Sequence, residues 1–181
     1  KVKDLYAGDK NAVMVAARVS GFGSEYNVNV ACRHCNAQTQ VSFDLEEIEV
    51  KSGKEGVTFT EEGTFFIELP VTKITAECRL INGDDEVSMK KKIEKKQKLK
   101  LGDSLLTDLL KTVIVSLNGV TERGVVEEFI DNMPAKDSNF LRKEYELIKP
   151  DVDLKYHLVC ESCDAESDVN IPFSTNFFWP E

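Results

Sequence analysis

Histidine is almost absent from this chain: His34 and His157 are the only two in 181 residues. Neither lies beside a serine or cysteine nucleophile with a third orienting group, so the Ser-His-Asp and Cys-His pattern finds no support. There is no Gly-rich phosphate loop. The carboxylates are many but scattered, without the paired spacing of a glycosidase or a metal triad. No apolar run approaches the roughly 20 residues that a membrane helix requires. No signal-peptide pattern opens the chain, and a first residue of Lys1 implies a start further upstream. No enzyme signature survives, and the expectation is a non-enzymatic protein with no small-molecule substrate.

What is present is ordinary in bulk. Hydrophobic residues make up 41% and charged residues 30%, the balance of a globular domain large enough to bury its own core. The expectation is a single domain over 1–181. Lys and Arg number 23 against 32 Asp and Glu, a net charge of −9. Such an excess opposes approach to nucleic acid or anionic lipid, because neutralising phosphates needs basic side chains. One local exception is the run Met89-Lys90-Lys91-Lys92-Ile93-Glu94-Lys95-Lys96-Gln97-Lys98-Leu99-Lys100, with seven of the 23 basic residues, which reads as a solvated helical face or mobile loop.

Against this background the cysteines carry the most information. Four of the five fall in two Cys-x-x-Cys pairs, Cys32-Arg33-His34-Cys35 and Cys160-Glu161-Ser162-Cys163, separated by the 124 residues 36–159. The flanks match as well. Val28-x-Val30-Ala31-Cys32 and Cys35-Asn36-Ala37-x-Thr39-x-Val41-x-Phe43 align without gaps onto Tyr156-x-Leu158-Val159-Cys160 and Cys163-Asp164-Ala165-x-Ser167-x-Val169-x-Ile171. That is strand, knuckle turn, strand, written twice.

Two facing knuckles supply four thiolates, the donor set of a closed tetrahedral zinc site, so Cys32, Cys35, Cys160 and Cys163 are the expected ligands of a structural Zn²⁺. Rival readings fit less well. Disulfides inside each pair leave the matched flanks unexplained, and a redox dithiol needs a helix after the motif where a strand follows here. A catalytic zinc keeps an open position, which four cysteines do not leave. Odd cysteine number and metal-type spacing suit a reducing cytosol. Removing the metal is expected to loosen the whole fold.

The remaining pattern is α+β. An opening helix is capped at Asp9, with Val13, Ala16 and Ala17 on one face, and ends at Gly21-Phe22-Gly23. Strands approach and leave the first knuckle, so residues 1–50 and 151–181 form the two β halves of a zinc-ribbon-like site. Glu46 to Gly63 reads as a turn-rich excursion. A strand pair is expected in 57–82, with Cys78 on its apolar face acting as a small core hydrophobe. A mainly helical insertion follows in 84–149: a helix capped at Asp84 or Asp85, and an apolar stripe from Leu106 to Leu117. A third helix covers Val125 to Met133, and a fourth starts after Asp137-Ser138. The closing Phe173, Phe177, Phe178 and Trp179 are expected to pack over the knuckles, with docking to a neighbouring subunit as the alternative.

The chain also resembles a known family. The residues that carry the likeness begin with Ala7-Gly8-Asp9-Lys10, Arg18, Gly23 and the first Cys-x-x-Cys. They continue with Phe129-Ile130-Asp131-x-Met133-Pro134, Asp137-Ser138-x-Phe140-Leu141-Arg142 and Pro150-Asp151-Val152-Asp153. The second Cys-x-x-Cys, Pro172 and Phe177-Phe178-Trp179-Pro180 complete it. In order and spacing these are similar to the T4-type phage baseplate hub proteins. The resemblance implies a subunit of a contractile tail, located in the virion baseplate and in the host cytoplasm during assembly. Its implied partners are other hub, spike or tape-measure proteins, and it implies no catalytic residue. The competing reading is a regulatory zinc ribbon that binds RNA polymerase or nucleic acid. Glu161, Asp164, Glu166 and Asp168 make the second knuckle acidic and weigh against it.

Overall fold

The structure, a computed structural model, describes residues 2–98, 105–173 and 177–178. In chain order the elements are α1 (Ala7–Phe22), β1 (Glu25–Ala31), β2 (Gln38–Asp44), β3 (Val50–Lys51), β4 (Thr64–Glu68) and β5 (Thr75–Arg79). There follow α2 (Gly83–Lys98), α3 (Leu105–Val113), β6 (Ile114–Leu117), α4 (Arg123–Asn132), α5 (Ala135–Ile148), β7 (Asp151–Val152), β8 (Lys155–Val159) and β9 (Glu166–Asn170). The fold is mixed α+β, as the change of periodicity along the sequence implies. Its residues divide into two compact units, Lys1–Lys10 with Ser52–Pro150 and Asn11–Lys51 with Asp151–Glu181.

The first unit is built on an antiparallel sheet in the order β4-β5-β6. Alternation along β5 sends Ala76 and Cys78 into the core, where they join Phe65, Leu69, Leu110, Val113, Ile114, Val126 and Leu141, and leaves Thr75, Glu77 and Arg79 on the opposite face. Helix α4 contributes Val126 and Ile130, one turn apart, and α5 contributes Leu141, Tyr145 and Ile148 along one stripe. Burial, reinforced by the neighbouring Glu77 carboxylate, pushes the Cys78 thiol up to about 12. The core role expected for Cys78 is what the fold gives it. In native protein Cys78 should therefore resist a thiol-directed reagent at pH 8 and react only as fast as the first unit opens; prompt labelling of Cys78, located by peptide mapping, would contradict this burial.

Several boundaries differ from the sequence reading. The apolar stripe expected to run as helix to Leu117 stops at Val113, and Ile114–Leu117 becomes β6 beside β5. Four β-branched residues in a row, Thr112, Val113, Ile114 and Val115, tolerate an extended backbone at least as well as a helical one. The sheet then decides the matter, burying Ile114 and Leu117 and directing the Ser116 hydroxyl to Glu77 Oε2 at 2.6 Å. Helix α2 is capped by Asn82 rather than by Asp84 or Asp85. Asp85 N–H donates to Asn82 Oδ1 and Asn82 N–H to Asp85 Oδ2, each at 3.0 Å, a reciprocal capping box. Arg79 grips the same Asp85 carboxylate with two donors at 2.6 and 2.8 Å, and that grip lowers its pKa. Helix α5 starts at Ala135, and Asp137 is spent on another task. Its buried carboxylate accepts Val71 N–H at 2.8 Å, Thr72 N–H at 3.0 Å and Thr72 Oγ1 at 2.8 Å, tying down the β4–β5 turn.

The second unit is made of hairpins. Strands β1 and β2 pair from Glu25↔Asp44 to Ala31↔Gln38, β8 and β9 pair from Lys155↔Asn170 to Val159↔Glu166, and β3 pairs with β7. Its core gathers Tyr26, Val28, Val30, Val41, Leu158, Val169 and Ile171 around Cys32 and Cys160. The inward face of α1 is not the expected one: Val15 and Arg18 are buried, whereas Val13, Ala16 and Ala17 are exposed. A buried arginine was invisible to a hydrophobic count. Its guanidinium turns to the carbonyls of Gly23 and Glu25, satisfying orphan acceptors where the helix ends and β1 begins. Phe177 is 1% exposed and stands edge-on to Tyr26, Phe173 and Phe178 with ring centroids at 5.0, 4.8 and 5.0 Å, which is the core packing expected of the aromatic tail. Trp179 lies outside the described residues.

Candidate metal centre

Each knuckle is a turn locked by its own backbone. After β1, Cys32 N–H donates to Ala37 O at 2.9 Å and Asn36 N–H to Cys32 O at 2.9 Å. After β8, Cys160 N–H donates to Ala165 O at 3.1 Å and Asp164 N–H to Cys160 O at 2.8 Å. Asn36 and Asp164 hold the same left-handed conformation, with φ of 60° and 53°. Asn and Asp tolerate that region better than other residues with a side chain, because their short polar groups bond locally. The matched Asn36-Ala37 and Asp164-Ala165 steps in the sequence are the signature of this shared turn.

The two knuckles bring Cys32, Cys35, Cys160 and Cys163 together, all four sulfurs within 4.8 Å of one another. Cys32 Sγ lies 3.8 Å from Cys163 Sγ, and Cys35 Sγ lies 3.6 Å from Cys160 Sγ. A tetrahedron with metal–sulfur bonds of about 2.3 Å has edges of about 3.8 Å, so these two separations match its edges, and the four sulfurs lie close enough together to hold one ion. It is nearly double the length of about 2.04 Å that a disulfide requires, and all five cysteines are free. Cys32 and Cys160 are buried at the base of the site, and Cys35 and Cys163 are exposed at its rim.

Electrostatics favours a cation there. The backbone N–H groups of Cys35 and His34, the latter 3.4 Å from Cys32 Sγ, pull the Cys32 thiol down to about 6. Cys163 receives a similar pull from Ala165 N–H, but the neighbouring Cys35, Cys160 and Cys32 sulfurs outweigh it and push the thiol up to about 12. One thiolate makes the next harder to form. Only a positive charge among them lets all four ionise together. The residues present therefore fit a four-thiolate metal ion.

The histidines lie outside this donor set. His34 is exposed within the first knuckle, and His157 points across β8–β9 to Asp168, with Nδ1 3.1 Å from Oδ1. Glu161, Asp164, Glu166 and Asp168 are all exposed, giving the second knuckle an acidic surface. No helix among the described residues is long and apolar enough to cross a membrane.

Comparison with known proteins agrees with the resemblance noted in the sequence as far as the baseplate family. Searches of curated proteins and of solved structures found no match. The sequence model of one family, described as T4 bacteriophage base plate protein, matches residues 1–179. With nearly its whole length accounted for in this way, the chain belongs to the T4 bacteriophage base plate protein family.

Proposed function

We propose that this chain is a non-enzymatic structural or assembly subunit of the central hub of a phage tail baseplate, acting through contacts with other hub, spike or tape-measure proteins. The observation that carries this reading is the family match over residues 1–179. Its place of action is the virion tail, with passage through the host cytoplasm during assembly.

We further propose that Zn²⁺ bound by Cys32, Cys35, Cys160 and Cys163 is a structural part of this subunit. The support is the convergence of the four sulfurs within 4.8 Å of one another, with two cross-knuckle pairs at 3.6 and 3.8 Å. When bound, zinc supplies a closed cross-link and no reactive position, because four protein ligands complete its coordination. Cys32 and Cys160 anchor it from the core, Cys35 and Cys163 close it, and the two knuckles hold their sulfurs in place through the backbone.

Metal analysis and gradient sedimentation test the two parts separately. Purified protein should contain one zinc per chain, and its four knuckle thiols should be unreactive until a chelator is added. Four freely reactive knuckle thiols with no bound metal would end the zinc reading. In lysates of infected cells the chain should sediment with baseplates or their central assemblies. If it stays free of them and instead shows a salt-sensitive shift with nucleic acid, the regulatory ribbon replaces the hub subunit.

A further inference from the structure

We propose that the outer edge of β4 is a strand-addition site for an extended segment of a partner protein, apolar where it meets the groove and basic at its flank. The proposal rests on the assembly reading above and names the surface and partner chemistry through which that assembly works.

The backbone directions follow from pairing. Leu69 donates its N–H to Ile74 O at 2.9 Å, and antiparallel pairs alternate between bonded and non-bonded positions. Ile67 and Phe65 therefore face β5, while Phe66 and Glu68 turn their N–H and C=O groups to the outer edge. Thr75, opposite Glu68, confirms the parity, since its N–H and C=O bond Asn118 on the far side of β5. At Thr64 the outward groups are already satisfied: Thr60 N–H donates to Thr64 O at 2.8 Å, and Thr64 N–H donates to Thr60 Oγ1 at 3.1 Å. Among the described residues no strand pairs with the outer edge at Phe66 and Glu68. An open ladder of this kind is a template for another strand.

The edge opens onto a groove of about 440 Å³, within the size range of ligand clefts. Strand β4 forms one wall and α5 another. Val57, Phe66, Phe140 and Ile148 supply its apolar lining, and Phe66 is 58% exposed although it sits in a sheet. A groove between a sheet edge and a helix can offer an incoming peptide both main-chain hydrogen bonds and side-chain pockets, the requirements of strand addition.

Charge selects the occupant. Glu55, Glu68 and Glu144 line the groove; Lys54 pairs with Glu144 and Lys73 lies 3.9 Å from Glu68, so Glu55 leaves the groove net acidic. A second copy of this chain, adding its own β4, would bring the same net-acidic rim against this one. A segment with Lys or Arg beside its apolar residues has the complementary sign.

The test uses the full-length protein and a fluorescein-labelled peptide, Lys-Val-Thr-Val-Lys-Val-Thr-Lys, read by anisotropy. Saturable binding is expected, with a glutamate-for-lysine twin binding far more weakly. N-methylation of one alternate set of peptide amides should abolish binding, and methylation of the other set should leave it. Glu68→Pro removes an outward N–H at a position where an edge strand tolerates proline, and should weaken binding about tenfold or more, whereas Glu68→Gln should weaken it only a few-fold, at low salt. The N-methyl comparison uses native protein, so it decides even where Glu68→Pro disturbs the fold. No saturable binding, equal binding of both N-methyl twins, or self-association in place of peptide binding overturns the proposal. If the peptide fails while the chain still sediments with baseplates, only the groove is lost. If the chain does not sediment with them, the assembly reading falls whatever the peptide does.

Discussion

Stripping the metal with a chelator, or replacing Cys160 with serine, is expected to unfold the second unit while the core of the first survives. Hydrogen exchange should show it, with amides of β1, β2, β8 and β9 losing protection and those of β5, α4 and α5 retaining it. Zinc between Cys35 and Cys160 would tie residues 125 apart in sequence. With the first unit folded, only 36–51 and 151–159 of that loop stay flexible, and closing a loop of about 25 residues removes about 3.5 kcal/mol of chain entropy on the loop-entropy model, so protection in the hairpins should fall by about a few hundredfold. Two-stranded hairpins are only marginally stable on their own, which makes the link between them the larger share of this unit's stability. The first unit holds no ligand cysteine and has a separate core, so loosening of the whole fold on metal loss, as the sequence alone implied, is no longer the expected result. Unchanged exchange in β1 and β8 after verified metal loss would remove the structural role of zinc.

Asp137→Ala should be the most damaging single polar substitution in the first unit, lowering its stability by about 3 kcal/mol in a denaturant melt. Asp137 is 0% exposed, and truncation leaves the N–H groups of Val71 and Thr72 and the Thr72 hydroxyl without their acceptor. Burial alone would raise the carboxyl's pKa, but the bonds from Val71 and Thr72 prevail and hold it below the usual carboxylate range. The folded-state pKa is thus lower than the unfolded value of about 3.9. The contribution of Asp137 is fully present above that value and is lost as pH falls through the folded-state pKa. Between pH 5 and pH 2, on the order of the range where carboxylates titrate, the stability gap between wild type and Asp137→Ala should narrow. A gap that stays constant over that range would show that the ionised carboxylate is not what the turn requires.

Much of the site was legible without coordinates, because its chemistry is local. Cys-x-x-Cys is a turn-length motif, and its repetition with Asn36-Ala37 and Asp164-Ala165 on matching flanks announced two copies of one turn. Cys78 was placed correctly by strand alternation alone. Arg18 and Asp137 were not legible, since nothing in a count of apolar residues marks a charged side chain as buried; each enters the interior only because backbone groups brought from elsewhere satisfy it. The outer edge of β4 was equally hidden, because a strand paired on one side looks no different in sequence from one paired on both.

Residue chemistry and spacing alone determined the mixed α+β class, the four candidate ligands, the core role of Cys78 and the family resemblance. Tertiary structure decided three things: that the four sulfurs meet, two pairs of them at 3.6 and 3.8 Å, that Ile114–Leu117 is strand rather than helix, and that Asp137 serves a turn 65 residues away. The physical reason is common to all three. Periodicity and capping act over one or two turns of chain, whereas a sulfur pair, a sheet register and a buried carboxylate depend on groups that only the folded backbone brings within bonding distance.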